Sequence, residues 1–410
     1  MQELSYERLK TQVAGRPAAI RRITTLYPAG GHSEKVFPPT YQDGPYAIEN
    51  RLVRAADGAV REVRTVLLDS VQSQANRMEL ALLRGYRQGK LKFPLLVVDF
   101  AQSEQDPLIR EIGQVTALEA PHRVADAILR DSLYEGQEFR RSLGRCLDGV
   151  RAANATSLFS LCPTALIFGM WDSTGPKGGL GAKFARLLVS EIVGFGAIDG
   201  VRPAGRIDPL QIENIEGIGA PIYRTPDGSW SFEEKDAARD KKGKPITLKP
   251  SKINHGNIPP ALKDENGVPH HGGVTITHAV QTTVFSLAGL RRLCFPLNGS
   301  SRPEADLAAR TTLAALALAA ICFQEEDGYD LRSRCLLDGA PGPFEFIGQG
   351  QTEPFSLTAD QAAALLAEAA QDAQRLGLEW PVEPRVLVPT ERLKKLIRES
   401  RKKTMAVSED

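Results

Sequence analysis

The residues best suited to chemistry lie between Leu68 and Arg84, in the run Leu68-Asp69-Ser70-Val71-Gln72-Ser73-Gln74-Ala75-Asn76-Arg77-Met78-Glu79 and the turn that follows it. At about 100° per residue, Val71, Ala75, Met78 and Leu82 form one helical face, and Ser70, Ser73, Gln74, Arg77 and Arg84 fall within an arc of about 100° on another. That arc carries hydroxyls, an amide and two guanidinium groups with no acid among them, and Asn76 adjoins it. A helix that starts at the end of a strand also offers its partial positive N-terminus. Such a face suits phosphate oxygens. An ordinary solvated helix face capped by Ser70 accounts for the same residues.

A second segment, Phe168 to Arg186, combines Gly169, Gly175, Gly178, Gly179 and Gly181 with Lys177, Lys183 and Arg186, and opens near Trp171. Glycines let backbone N–H groups approach an anion, the cations supply charge, and the indole offers a stacking face. It lacks the Gly-Lys-Ser/Thr of a phosphate-binding P-loop and the spacing of a dinucleotide fingerprint. A strand-to-helix turn that merely needs glycines fits equally. His122, Arg123, Asp126 and Arg130 are expected on one helix; they are candidate RNA contacts, although Asp126 can pair locally with both arginines.

Two basic runs stand out in a chain of net charge +1. Arg239, Lys241, Lys242, Lys244, Lys249 and Lys252 face only Asp240, and seven cations between Glu391 and Lys403 face two acids; each run is +5. Lys241, Lys242 and Lys244 are therefore further candidate contacts, while the near-zero total argues against a protein that coats nucleic acid with its whole surface. His255, His270, His271 and His278 match no zinc spacing, no C-x-x-C pair exists, and no G-x-S-x-G elbow or paired acid and base can be chosen. No metal, catalytic residue or cofactor is expected.

The elements that must position these residues alternate. A helix leads to an extended run, Ala18 to Tyr27, that enters Pro28-Ala29-Gly30-Gly31-His32. The runs Tyr46 to Arg54 and Val63 to Asp69 flank a hairpin signal and pass into the helix at Ser70. Further on, strands are expected at Leu95 to Asp99 and Ala165 to Trp171, and helices at His122 to Ser132 and from about Gly181 to Val193, where Phe184, Leu187, Leu188 and Ile192 keep helical spacing. The stretch Thr225 to Gly273 has almost no apolar periodicity and reads as an insertion. Val274 to Phe285 follows as a strand, then a short helix over Ser286 to Leu293, an alanine-rich helix over Glu304 to Phe323, strands near Asp330 to Leu337 and Phe344 to Ile347, a helix over Asp360 to Leu376, and a basic terminal helix. This is an α+β or α/β core.

With 410 residues, 42% hydrophobic and 25% charged, the chain can bury a substantial core. Five scattered cysteines suit buried thiols in a reducing compartment. The longest apolar stretch, around Leu313 to Phe323, reads as too short to span a bilayer, and a cytoplasmic location is expected.

In their order, five groups of residues resemble the successive motifs of the backbone subunit of type I-G (formerly I-U) CRISPR interference complexes, a RAMP-superfamily protein of the seventh Cas family. They are Gly30-Gly31 with Lys35-Val36-Phe37-Pro38-Pro39-Thr40-Tyr41; Leu67 to Glu79; His122-Arg123 with Asp126-Ala127; Phe168-Gly169 with Trp171-Asp172-Ser173; and Leu287 with Leu290-Arg291-Arg292-Leu293. They cover roughly Gly30 to Pro296. The resemblance implies an α+β, RNA-recognition-motif-like (ferredoxin-like) RAMP core, a single elaborated domain over 1–410 with large insertions forming a palm and thumb. Residues 225–273 are the expected thumb or a flexible insertion, and residues 391–410 the basic terminal helix and tail. In related subunits a Ser-Gln segment followed three residues later by a basic residue opens the helix that lines the guide; Ser73, Gln74 and Arg77 match it.

The implied function is a non-catalytic Cascade subunit that polymerises head to tail along crRNA and presents its bases to a target DNA strand in antiviral defence. Its implied partners are a large subunit and Cas-five/Cas-six-type subunits, without a membrane. No aspartate is identified as equivalent to the one that cleaves target RNA in type III relatives, and the region after Glu304 carries no motif to transfer. The alternatives are a metal-dependent ribonuclease cutting target RNA in the same groove, and a protein scaffold without RNA contact.

Overall fold

The computed structural model describes residues 2–408 except 33, 56, 103–104, 174, 176–177, 215–219, 264–266 and 269; residues 179 and 402–408 are described by backbone only. The chain divides into two compact units. One comprises Met1–Ile198 and Val274–Leu393, the other Asp199–Gly273 and Lys394–Asp410. The second unit begins at Asp199, upstream of the Thr225 boundary expected from composition.

The first unit is α+β. Its elements in order are α1 (Tyr6–Ala14), β1 (Ala19–Pro28), β2 (Ile48–Arg54), β3 (Val60–Asp69), α2 (Val71–Arg87), β4 (Leu96–Asp99), α3 (Pro163–Phe168), β5 (Met170–Trp171), β6 (Lys183–Phe184), β7 (Leu188–Phe195), β8 (His278–Ser286), α4 (Pro303–Glu326), β9 (Tyr329–Arg332), β10 (Cys335–Asp338), β11 (Pro341–Gly348), β12 (Gln351–Phe355), α5 (Ala359–Arg375) and β13 (Arg385–Pro389), with shorter pieces between them. The large sheet runs β9-β10-β1-β8-β7-β3-β2, with β11 also paired to β1 and β12 to β11. Its centre is antiparallel: Ala19 pairs with Ser286 through to Leu26 with Ala279, and Leu188 with Phe285 through to Phe195 with His278. A smaller sheet joins β4 in parallel to β13.

Alternation along β1 buries Ile20, Thr24 and Leu26 and leaves Ile23 and Tyr27 partly exposed, so one face of the strand turns inward. On the buried side α4 packs against α1, α2 and α5. Its alanines permit close approach: the Thr312 hydroxyl donates to the Ala369 carbonyl of α5 at 3.0 Å. Leu313, Leu316 and Leu318 on α4 are fully buried, each worth about 1.5–3 kcal/mol. At 24 residues and with high hydropathy this helix is long enough to cross a bilayer, longer than the apolar stretch in the sequence suggests; 89% of its apolar window is buried inside the protein, as in a core helix.

Three expected elements differ. Ala165 to Trp171 is mainly helix: Pro163 occupies the first turn, where its fixed φ is pre-organised, and all of Pro163–Phe168 is buried. Hydrophobicity alone does not separate a buried strand from a buried helix. Gly181 to Val193 is instead the short strand β6 followed by β7, a central strand hydrogen-bonded to both β3 and β8. Leu188, Ser190 and Ile192 bury one face of it, and the helical spacing of Phe184, Leu187, Leu188 and Ile192 is coincidental to that alternation. His122 to Ser132 is broken. Arg123 has φ +53°, Asp126 is extended and caps the single turn Ala127–Arg130, and Ser132 begins a strand.

In the second unit the insertion is more regular than its composition implies. A three-stranded sheet places Ile222–Arg224 between Trp230–Ser231 and Thr247–Leu248, Ala204–Arg206 pairs with Ile258–Ala261, and Ile198–Val201 pairs with His271–Thr275. The basic terminal helix spans Glu391–Ser408.

Candidate nucleic-acid interface

A bulge in β3 at Leu68, opposite the step from Ile192 to Val193 in β7, precedes Asp69, which is fully buried. The Ser70 side chain caps α2 by accepting from the Ser73 N–H at 3.3 Å. The first turns of α2 then close on Asp69. Ser73 Oγ donates to it at 2.8 Å, Gln74 Nε2 at 2.6 Å and Arg77 Nε at 3.0 Å, and Arg332 Nη2 reaches it from β9 at 3.3 Å. Arg77 also donates to the carbonyls of Asp330 and Leu331.

Gln74 carries the network inward. Its Oε1 accepts from Ser190 at 3.0 Å and from Gln281 at 2.8 Å, and Gln281 continues to Gln324 and Tyr329. Such a chain of satisfied buried groups fixes the relation of α2 to β7, β8, α4 and β9. It corrects two expectations. The polar arc does meet an acid, Asp69, two residues ahead of the helix, and Gln74 lies in the core because its position borders Ala75 and Met78. Asn76 is exposed, Ser70 is half-buried, and Arg84 is partly exposed and paired with Asp327.

On the same helix Glu79 is buried, and Arg123 chelates it with Nε and Nη2 at 2.7 Å each, while Nη1 donates to the Gly169 carbonyl at 3.1 Å. Burial pushes the Glu79 carboxyl up to about 7 against the pull of Arg123. Arg186 donates to the carbonyls of Phe168 and Val71, and burial, followed by repulsion from Arg123, lowers its pKa. Arg123 thus binds helix to loop, and its pairing with Asp126 does not form. Asp126 accepts the backbone N–H groups of His122 and Ile128, and Arg130 pairs with Asp131 at 2.9 Å. His122 is exposed.

The glycine segment becomes a β-ribbon. Trp171 pairs with Lys183 across β5 and β6, and the Lys183 ammonium lies 5.2 Å from the centre of the indole, which is 49% exposed. Asp172 is buried against Arg140 at 3.0 Å, and a Cβ at Gly181 would collide with the Asp172 carbonyl, so the ribbon needs glycine there. Gly169, at φ +82°, lets the chain turn out of α3 beneath Phe184 and Arg186. Lys177 lies outside the described residues. The exposed indole and the ammonium against it form a cation–π pair at the surface.

In the second unit the basic run forms a built turn. Asp240 accepts the backbone N–H groups of Lys242 and Lys244, Arg239 bridges to Pro245, and the side chains of Lys241, Lys242 and Lys244 are exposed. Asp69, Glu79, Asp330 and Arg332, which tie down the expected contacts, were not singled out by pattern. The signal for Asp69 was its place immediately before the capping Ser70.

No curated protein matches the chain. Residues 20–199, from β1 to the first residue of the second unit, match the family model described as CRISPR-associated protein GSU0053. The matched segment is less than half of the chain and contains Asp69, the Glu79–Arg123 pair and the Trp171–Lys183 ribbon, and its similarity to this family supports a CRISPR-associated protein.

Proposed function

We propose that the protein is a non-catalytic, guide-RNA-binding backbone subunit of a Cascade-type CRISPR interference complex of type I-G. The observation that carries this reading is the match of residues 20–199 to a CRISPR-associated family. Further support comes from connectivity. With the β2–β3 hairpin set aside, the path β1, α2, β7, β8, α4, β11 and the sheet order β11-β1-β8-β7 follow a β-α-β-β-α-β order, which supports an RNA-recognition-motif-like RAMP core. The segment Asp199–Gly273 of the second unit, inserted between β7 and β8, is then the thumb.

In this reading the α2 network holds the groove in shape, while exposed groups meet the guide: Asn76, His122, the Trp171–Lys183 pair and the turn of Lys241, Lys242 and Lys244. These contacts address phosphates and base faces, so base pairing supplies sequence recognition. The subunit works in the cytoplasm beside further copies of itself, crRNA, target DNA, and the large and Cas-five/Cas-six-type subunits. A heterologous contact that does not close produces a filament whose length the RNA sets. Electron microscopy with RNAs of two lengths tests this: arrays that lengthen with the RNA are expected, and monomers or rings of fixed size would refute assembly along a guide.

A further inference from the structure

The segment Asp199–Gly273 of the second unit holds a cleft of about 380 Å³, whose lining includes Ile222, Trp230, Phe232, Pro250, Ile253 and His255. Ile222 and Pro250 are buried, whereas Trp230 is 42% and Phe232 54% exposed. Large apolar groups left open around one concavity mark a binding site. The two rings meet edge to face, 5.3 Å between centres and 82° between planes, and such a corner accepts a third ring. His255 is the polar point of the lining: its Nδ1 faces the buried Asp208 carboxylate at 3.8 Å, which leaves Nε2 for a hydroxyl. Lys249 and Lys252, next in sequence to Pro250 and Ile253, are exposed and form no ion pair among the described residues. The cleft therefore suits an aromatic ring that carries one hydroxyl and has an acid beside it.

The chain presents that combination itself. Outside the cleft, the exposed Phe, Tyr and Trp side chains among the described residues are Tyr27, Tyr41 and Trp171. The Tyr27 ring already packs on His32 at 5.2 Å, and Trp171 has the Lys183 ammonium against it. Tyr41 is 46% exposed, and its side chain meets no other ring, cation or hydrogen-bond partner among the described residues. It opens a tight turn, Tyr41 to Gly44, closed by backbone hydrogen bonds in both directions. The stem of the turn is tied down, because Val36 pairs with Val274, the Phe37 N–H donates to the Arg334 carbonyl at 3.0 Å, and Pro38 is buried. Within the turn Asp43 is exposed and has no ion pair among the described residues. A tyrosine held out on a fixed turn loses little freedom on docking.

We propose that Tyr41 of one copy docks in the cleft of another copy, with its ring against Trp230 and Phe232, its hydroxyl at His255, and Asp43 facing Lys249 and Lys252. The contact joins two different surfaces, so it repeats from copy to copy. The inference rests on the head-to-tail assembly proposed above and names the side chains that hold the copies together.

The test follows the full-length chain, freed of nucleic acid with nuclease, by sedimentation velocity over a concentration series, beside Tyr41→Ala and Trp230→Leu. The parent is expected to form species that grow past the dimer as concentration rises. Each variant should lose about ten-fold or more in association constant, as on removing an aromatic anchor. An equimolar mixture of the two should recover parental affinity in pairs that stop at two copies, because Tyr41→Ala keeps its cleft and Trp230→Leu keeps its turn. Asp43→Lys should also weaken assembly, and mixing it with Lys249→Asp/Lys252→Asp should restore pairing. Binding of a short labelled RNA, read by anisotropy, is measured separately and should be the same in parent and Tyr41→Ala.

A parent that stays monomeric at every concentration, or variants that assemble as the parent does, overturn the contact, and the anisotropy alone then decides the RNA-binding reading. A mixture that recovers no pairs, although both variants melt as the parent does, overturns it as well. If Trp230→Leu assembles normally but loses affinity for the short RNA, the cleft is a nucleic-acid site and the inference is wrong. Assembly that depends on Tyr41 in a chain that binds no RNA supports the contact and refutes the RNA-binding reading.

Discussion

Arg123→Leu should destabilise the first unit without acting on RNA. The guanidinium is 7% exposed, makes two 2.7 Å bonds to Glu79 and one to the Gly169 carbonyl, and cannot reach a phosphate without leaving them. Removing it strands a carboxylate that is itself 2% exposed, and breaking one side of such a buried pair costs about 3–5 kcal/mol. The cost should depend on pH. With Arg123 in place, burial already holds the Glu79 carboxyl up to about 7; without Arg123 it rises further, so the folded variant holds its proton more tightly than the unfolded chain does. That contribution is present at low pH and lost as pH rises, and the stability gap to the parent widens from pH 5 to pH 8. Replacing both partners, Glu79→Leu with Arg123→Leu, leaves no orphaned charge and should recover most of the loss. Urea unfolding followed by circular dichroism at pH 5 and pH 8 reads all three arms. A single variant as stable as the parent at pH 8, or a double variant worse than the single, would refute the argument. RNA affinity measured where the variant is still folded should be unchanged.

The α2 network and the basic turn give opposite signatures. Gln74→Ala removes a fully buried side chain bonded to Asp69, Ser190 and Gln281, and should cost about 2–4 kcal/mol in unfolding experiments, whereas the exposed Asn76→Ala should be thermally silent and weaken RNA binding. Removing the charges of Lys241, Lys242 and Lys244 should leave the melting temperature unchanged and flatten the salt dependence of RNA binding by about 0.7 per lost phosphate contact; an unaltered slope would assign that turn to solvent or to protein.

The parts of the fold that local signals specify were legible in the sequence. The hairpin of β2 and β3, the Ser70 cap of α2 and the long α4 each carry a turn, a cap or a sustained period that nearby residues define. The strand β7 was not legible, because Phe184, Leu187, Leu188 and Ile192 satisfy a helical period by chance and its strand partners, β3 and β8, lie far off in sequence. The polar face of α2 was found, but a helical wheel measures angle about one axis and is blind to what stands opposite. Asp69 from the strand end and Arg332 from β9 turn a face that looked free into one that is bonded inward. His122 to Ser132 failed for a local reason, since Asp126 prefers capping to continuing a helix. In the insertion, composition revealed the basic run but gave no sign of the cleft beside it, because Leu210, Ile222, Trp230 and Phe232 share no period and converge only through the small sheet.

The most direct measurement expresses the chain with a CRISPR array, purifies it, and sizes the nucleic acid that comes with it. The account predicts discrete RNA of guide length, retained at moderate salt and released as salt rises. A preparation free of nucleic acid, or one carrying RNA of random length unrelated to the array, would contradict it.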